Sequence, residues 1–510
     1  MSWARGLGGN LALILAGQAV ANLQGLIALP IVIRGAGAAV YGAYVLLLNV
    51  LFVLVAVMDT ALTYGYKRRL VSATGATERR ELVGAQAGAQ LAALAAVSAA
   101  FLLGAPAFER LMFAGAAEFT PWLGVVLLAS YAADTLVGGY FGFTGRFSPI
   151  ALIGLAQPVV FLAALAAVAG AGGALTLDRL LELQILANAV PLAPFLAAML
   201  REAGLPRLRL SLCALVADAR VGLPLTLEFV GDLLLGFGDR YLICLFLSVA
   251  AVGQYQPAYQ IASILLFLPR LSGPLLKPAL FRMIDAGDSA GAERLLAVFL
   301  RLYLFAAIPF AAGALMTEPS LVALLTNADI ARASRWVGPL VAAASIFYGA
   351  TLLVSLAAYV LARTGAILHA SLAGAAANLG LNLVFLPLLG DLAVPAVTTL
   401  IGYAASCLYG SRALRPLWRL RVSWLAVCRV CLATAAMTAL LWLAGYRPAA
   451  VSDAGAVHLA ATVAAAVAGY VAALWAVGGL GRGELAEIMG VLRGDPVGVE
   501  ASGRSSAGPA

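Results

Sequence analysis

Long apolar runs, separated by short polar or Gly/Pro-rich breaks, set the pattern of this 510-residue chain. They fall at 10–33, 40–63, 83–104, 121–142, 149–171, 180–200, 221–246, 254–278, 295–316, 337–361, 367–388, 392–411, 425–445 and 456–479. Each is about 20 residues long, the length a helix needs to cross bilayer hydrocarbon. The apolar positions are continuous rather than set in a 3.6-residue stripe, so lipid is the expected solvent for most of the chain. Hydrocarbon leaves backbone groups unsatisfied except in helices and closed barrels, and the short alternating strands of a barrel are not found. The pattern predicts an all-α integral membrane protein of about 14 transmembrane helices.

Composition agrees: 63% of residues are hydrophobic and 11% charged, against about one-quarter charged in soluble domains. The first run is too long for the apolar core of a signal peptide and lacks a convincing cleavage site, so it reads as a mature span. Cys213, Cys244, Cys407, Cys428 and Cys431 lack the paired spacing of a zinc site and read as small apolar packers. The net charge of +8 is spread over short loops rather than gathered in one patch, so nucleic acid is not an expected partner.

The basic residues instead report topology. Arg5, the cluster Lys67, Arg68, Arg69, Arg79 and Arg80, then Arg146, Arg201, Arg207, Arg209, Arg220, Lys277, Arg282, Arg294, Arg363, Arg412, Arg415, Arg419, Arg421 and the tail's Arg482, Arg493 and Arg504 share one face of the predicted arrangement. Arg34, Arg110, Arg179, Arg240, Arg332, Arg335 and Arg447 fall on or near the other. The positive-inside rule then places both termini in the cytoplasm. The connections are short, so no soluble catalytic domain is expected, and the tail from Gly481 reads as a short interfacial helix followed by disorder.

An internal repeat relates the segments after the first and seventh runs. Ala38-Ala39-Val40-Tyr41-Gly42-Ala43-Tyr44 matches Ala250-Ala251-Val252-Gly253-Gln254-Tyr255 after a one-residue gap, with a period of about 211 residues. The expected organisation is a six-helix bundle over 1–200, a linker over 201–220, a second six-helix bundle over 221–411, two additional helices over 412–480 and a cytoplasmic tail over 481–510. Two pseudo-symmetric bundles of this kind rock about a central cavity in transporters.

Ionisable groups at bilayer depth normally face a protein interior or a wet cavity. In the seventh run Glu228, Asp232 and Asp239 fall within about 40° of one another at about 100° per residue. This acidic stripe reads as a site for a coupling cation, or else as carboxylates paired with bases on neighbouring helices; Asp239 beside Arg240 is open to the second reading. Gln18 and Asn22 give the first run a milder polar face, which the repeat carries close to Glu228 and Asp232. The eighth run has Gln256, Tyr259 and Gln260 on one face, then Arg270 directly after Pro269. Arg270 is a candidate anion contact, with an ion pair or a snorkelling side chain as the alternative. Asp59, Asp134, Arg301 and the pair Asn378 and Asn382 read as structural. Neither a Gly-rich phosphate loop nor a metal-ligand cluster nor a nucleophile with its base is found, so neither ATP, a cofactor nor an enzymatic reaction is expected.

Three features carry a family resemblance: Gly42-Ala43-Tyr44; Asp239-Arg240-Tyr241-Leu242-Ile243 followed by Val252-Gly253-Gln254-Tyr255-Gln256-Pro257-Ala258-Tyr259; and Asn382-Leu383-Val384-Phe385-Leu386-Pro387-Leu388-Leu389-Gly390 running into Ala396-Val397-Thr398-Thr399. With them the chain resembles the polysaccharide, or Wzx-type oligosaccharide, flippases of the multidrug/oligosaccharidyl-lipid/polysaccharide (MOP) exporter superfamily. Asp391-Leu392-Ala393-Val394-Pro395 departs from the usual pattern, in which a Gly-Ala pair is commoner. The resemblance implies a flippase of the bacterial cytoplasmic (inner) membrane that turns an isoprenoid-linked saccharide from the cytoplasmic to the periplasmic leaflet, among membrane lipid and with polysaccharide polymerases as possible partners. On that reading Glu228 and Asp232 suit a coupling cation and Arg240 or Arg270 the carrier phosphate. A cation-coupled small-molecule exporter is the alternative within transport. A membrane polysaccharide polymerase or ligase is the alternative from another class, against which the short outer loops argue.

Overall fold

The computed structural model describes residues 2–72, 75–203, 216, 226, 230–231, 233–234, 236–415, 423–452 and 455–479. Glu228, Asp232, most of the 201–220 linker and the 481–510 tail lie outside the described residues, as do the side chains of Gln18 and Asn22.

Every described run forms helix, and no strand occurs among the described residues. The elements are α1 (Ser2–Ser72), α2 (Ala76–Phe108), α3 (Pro121–Phe143), α4 (Phe147–Gly170), α5 (Leu177–Ala203), α6 (236–246 of the seventh run), α7 (Val249–Ala262), α8 (Phe267–Asp285), α9 (Ser289–Leu325), α10 (Ala328–Ala333), α11 (Val337–Val360), α12 (Thr364–Leu389), α13 (Ala393–Leu414), α14 (Trp424–Leu443) and α15 (Ala456–Ala476). Among the described residues 11 helices are long and apolar enough to cross a membrane. The chain is a multi-pass membrane protein, and its outward faces carry bare apolar side chains such as Leu103, Leu443, Val457 and Trp475, as lipid-facing helices do.

α1 holds the first two runs, with Gly37 between them at φ 83° and ψ 170°, a conformation that breaks the helix and that side chains other than glycine rarely adopt. The eighth run differs from the single helix expected over 254–278. It opens earlier, at Val249, and is split into α7, a 3₁₀ turn at Ser263–Leu266, and α8. Pro269 gives the reason: a proline ring lacks the N–H for the carbonyl four residues back, here Leu265, and crowds it, so the chain tightens there.

The chain forms two compact units. The first comprises Met1–Ile261, Leu325–Ser334 and Ala375–Thr398. In it α1 packs along α4 and α3, and α5 closes on α3 and α4; Tyr66, Leu70, Val137, Phe141, Ile153 and Met199 make one core. The two segments of the expected repeat pack on each other here. A Cβ on Gly42 would run into the Val249 carbonyl oxygen, and a Cβ on its repeat partner Gly253 would run into the Ala38 carbonyl oxygen. Two backbones therefore cross at the place where each repeat carries its glycine, an approach only residues without side chains allow.

The second unit comprises Ala262–Leu324, Arg335–Gly374 and Thr399–Ala510. Leu276, Leu280, Leu296, Leu353 and Leu414 form a core of α8, α9, α11 and α13. The last two helices pack on each other and on α9: Met437, Leu441, Tyr470 and Leu474 cluster with Met316. The Tyr470 hydroxyl donates to the Phe305 carbonyl at 2.7 Å, and Ala449 N–H donates to the Leu315 carbonyl at 2.7 Å.

Candidate functional site

In the first unit, Asp239 and Arg240 sit on α6 with 1% exposure each. A charge so buried depends on partners within the protein, although Arg240 Nη2, also buried, has no hydrogen-bond partner. Arg240 Nη1 donates to Asp239 Oδ1 at 2.8 Å and to the Gly236 carbonyl at 2.7 Å, while Nε donates to Gln256 Oε1 at 2.8 Å. The Tyr255 hydroxyl donates to the second oxygen, Asp239 Oδ2, at 2.7 Å. The guanidinium carbon lies 4.1 Å from the centre of the Tyr259 ring, a cation–π contact. One turn along α7, Gln260 Oε1 accepts from the Tyr41 hydroxyl at 3.2 Å. The structure thus gathers four of the predicted residues, Asp239, Arg240, Gln256 and Gln260, on the facing sides of α6, α7 and α1. Gln256 and Gln260 serve there as partners to Arg240 and Tyr41.

Arg270 stands on α8 in the second unit, with an exposed side chain.

A second polar feature of the first unit was not predicted. A cavity of about 310 Å³ opens between α1, α3, α4 and α5, lined on its polar side by Gln24, Tyr131, Gln157, Gln184 and Asn188. Small residues on α1 and α4, Gly17, Ala21, Ala151 and Gly154, leave room for it. Its amides are chained: the Tyr44 hydroxyl donates to Gln184 Oε1 at 3.0 Å, Gln184 Nε2 to Asn188 Oδ1 at 3.3 Å, and Asn188 Nδ2 to Ser130 Oγ at 3.2 Å. Asp134 adjoins it through a hydrogen bond to Gln157. Such a wall offers neutral donors and acceptors in both senses, together with an aromatic ring. The signal in the sequence was weak but present: Gln184 and Asn188 are one turn apart in the sixth run. Tyr41 and Tyr44 link the two features, the first reaching α7 and the second α5.

α12 brings a third polar group into the first unit. Asn378 Nδ2 donates to Thr398 Oγ1 at 3.4 Å. Asn382, 0% exposed, has no hydrogen bond at either amide atom. Core hydrogen bonding thus accounts for the amide nitrogen of Asn378 but not for its Oδ1 or for Asn382; a buried amide in that condition calls for a water or a cation. Among the described residues no group of three or more His, Cys, Asp or Glu side chains could hold a metal ion.

The helical arrangement resembles the folds of several solved transporters. It resembles the lipid II flippase MurJ in its inward closed conformation with a TM-score of 0.72 at 12% identity, over 91% of this chain and 98% of that one. It resembles an inward-facing multidrug resistance MATE family transporter of the MOP superfamily with a TM-score of 0.60 at 14% identity, over 77% and 94%. A mutant of the Vibrio cholerae MATE transporter VcmN matches with a TM-score of 0.56 at 16% identity, over 81% and 98%. At these identities the likeness is one of fold. No protein-family profile matches the chain, and no curated protein matches its sequence.

Proposed function

We propose that the chain is a lipid-linked oligosaccharide flippase of the bacterial cytoplasmic membrane, moving an isoprenoid-(pyro)phosphate-linked saccharide to the periplasmic leaflet by cation-coupled alternating access for surface polysaccharide synthesis. The observation that carries this reading is the amide-lined cavity of the first unit. Sugar hydroxyls are both donors and acceptors, and Gln24, Gln157, Gln184, Asn188 and Tyr131 meet them with neutral groups of the same kind. A resemblance in fold to a lipid II flippase over 91% of the chain supports it.

Arg270 is the group assigned to the carrier phosphate, because its side chain is exposed and a guanidinium matches phosphate with paired donors. Arg240 stands second, since three of its donors are already engaged. Both oxygens of Asp239 are likewise engaged, so uptake of the driving cation falls first to Glu228 and Asp232 and then to Asp239. Both termini lie in the cytoplasm, and a polysaccharide polymerase receives the product.

The experiment is replacement of cavity amides in cells that make a surface polysaccharide. Gln184→Leu and Gln157→Leu, at normal protein level, are expected to slow its appearance and to leave lipid-linked precursor on the cytoplasmic leaflet. Normal polysaccharide in both variants would overturn the assignment of the cavity.

A second reading has one observation of its own. Asp134 gives the cavity an acid, which would suit a cationic drug and a small-molecule exporter. Raised drug sensitivity with intact polysaccharide on deletion of the gene favours the exporter; the reverse favours the flippase.

A further inference from the structure

A second cavity, of about 330 Å³, lies within the second unit, between the amino-terminal halves of α9 and α14. Its two ends differ in chemistry. Glu293, Arg294, Arg301 and Ser423 line one part, and Leu304, Phe305, Val427 and Val430 the other. Both helices start at the polar end and run to the apolar end, so polar and apolar linings follow the same axis.

We propose that this cavity binds an anionic phospholipid of the surrounding leaflet, its phosphate against Arg294 and Arg301 and an acyl chain along the apolar part. Three observations carry the assignment. The lining holds two arginines and one carboxylate, Glu293, a set in which guanidinium donors suited to phosphate predominate. The mouth also includes the start of α14, a 20-residue helix whose amino-terminal end favours an anion; Ser423 Oγ accepts from Ala426 N–H at 3.3 Å, so the first turn is ordered by its own cap. Finally, Trp424 and Leu425, 76% and 62% exposed, sit at this end as an aromatic residue does at the membrane–water boundary. From Glu293 to Phe305 α9 rises about 18 Å, slightly more than the roughly 15 Å half-thickness of bilayer hydrocarbon. The cavity therefore spans one leaflet.

A free phosphate ion would satisfy the arginines and leave the apolar wall without an occupant; a phospholipid satisfies both. In the sequence Arg412, Arg415, Arg419 and Arg421 come just before Ser423 and add to the attraction of an anionic surface. The proposal is independent of the cargo and of the coupling ion.

The test uses the purified full-length chain in neutral detergent, with the thermal midpoint read on adding phosphatidylglycerol, phosphatidylcholine or inorganic phosphate at equal concentrations. Phosphatidylglycerol is expected to raise the midpoint saturably, as a ligand of the native state does, and the other two to leave it nearly unchanged. Arg294→Gln with Arg301→Gln should raise the half-saturating lipid concentration by about tenfold or more, since two charge-assisted contacts are lost. Arg294→Lys should lie between. Arg294 is exposed, so Arg294→Gln alone keeps the test valid if the double variant does not fold, and it should still raise the half-saturating concentration several-fold. Equal shifts with phosphatidylcholine, the same shift with inorganic phosphate alone, or an unchanged half-saturation in Arg294→Gln would each overturn the proposal.

Discussion

Arg240 and Arg270 stand in different surroundings, one buried and one exposed. Arg240 is buried against Asp239, Gln256 and the Tyr259 ring. Arg240→Ala would leave Asp239 as a buried carboxylate without its cation, at a cost of about 3–5 kcal/mol. The expected outcome is a marked fall in folded protein, checked by size-exclusion yield and thermal midpoint, with Asp239→Asn likewise costly because it leaves Arg240 as a buried cation without its anion. Arg270→Ala should behave in the opposite manner: normal protein level, stalled surface polysaccharide and part of the activity restored by Arg270→Lys. Normal polysaccharide from Arg270→Ala would move the phosphate role to Arg240. The sequence marked both as charges at membrane depth and left open which was structural. The surroundings of Arg240 include Gln256, 16 positions away and beyond the reach of helix periodicity. The cavity amides were harder still to see, because single Gln and Asn residues barely disturb an apolar run, and their convergence from three helices is a fact of packing.

At the scale of elements, the apolar runs translate directly into helices, since each must satisfy its own backbone in lipid. What the runs could not convey was interruption. The 3₁₀ turn at Ser263–Leu266 lies within an unbroken apolar stretch, and Pro269 was its one local sign. The segments related by the expected repeat meet at Gly42 and Gly253, where two backbones come close. Gly42→Ala or Gly253→Ala would force a methyl group into a facing backbone carbonyl and should destabilise the protein by about 1–3 kcal/mol or more. A thermal midpoint unchanged in both variants would contradict the close approach. A substitution at Gly138, where a Cβ meets nothing within 4 Å, serves as the control.

For the whole molecule, the even span number and the distribution of basic residues make a topological claim. Reporter fusions at Arg80, Ala171, Leu208 and Ala449 are expected to read cytoplasmic, external, cytoplasmic, external. A reversed signal at any two would displace the span count, since each missed span inverts all later loops. Between α14 and α15, Ser452 N–H donates to Ser320 Oγ at 2.9 Å, a further tie of the last two helices to the second unit. The most direct test is reconstitution of the full chain in vesicles carrying a fluorescent isoprenyl-diphosphate saccharide, followed by reduction of the label from outside. The account predicts that label on the inner leaflet becomes reducible faster than in protein-free vesicles, that an imposed cation gradient accelerates it, and that Arg270→Ala slows it. Folded protein that leaves the inner-leaflet pool protected, with or without the gradient, would contradict it.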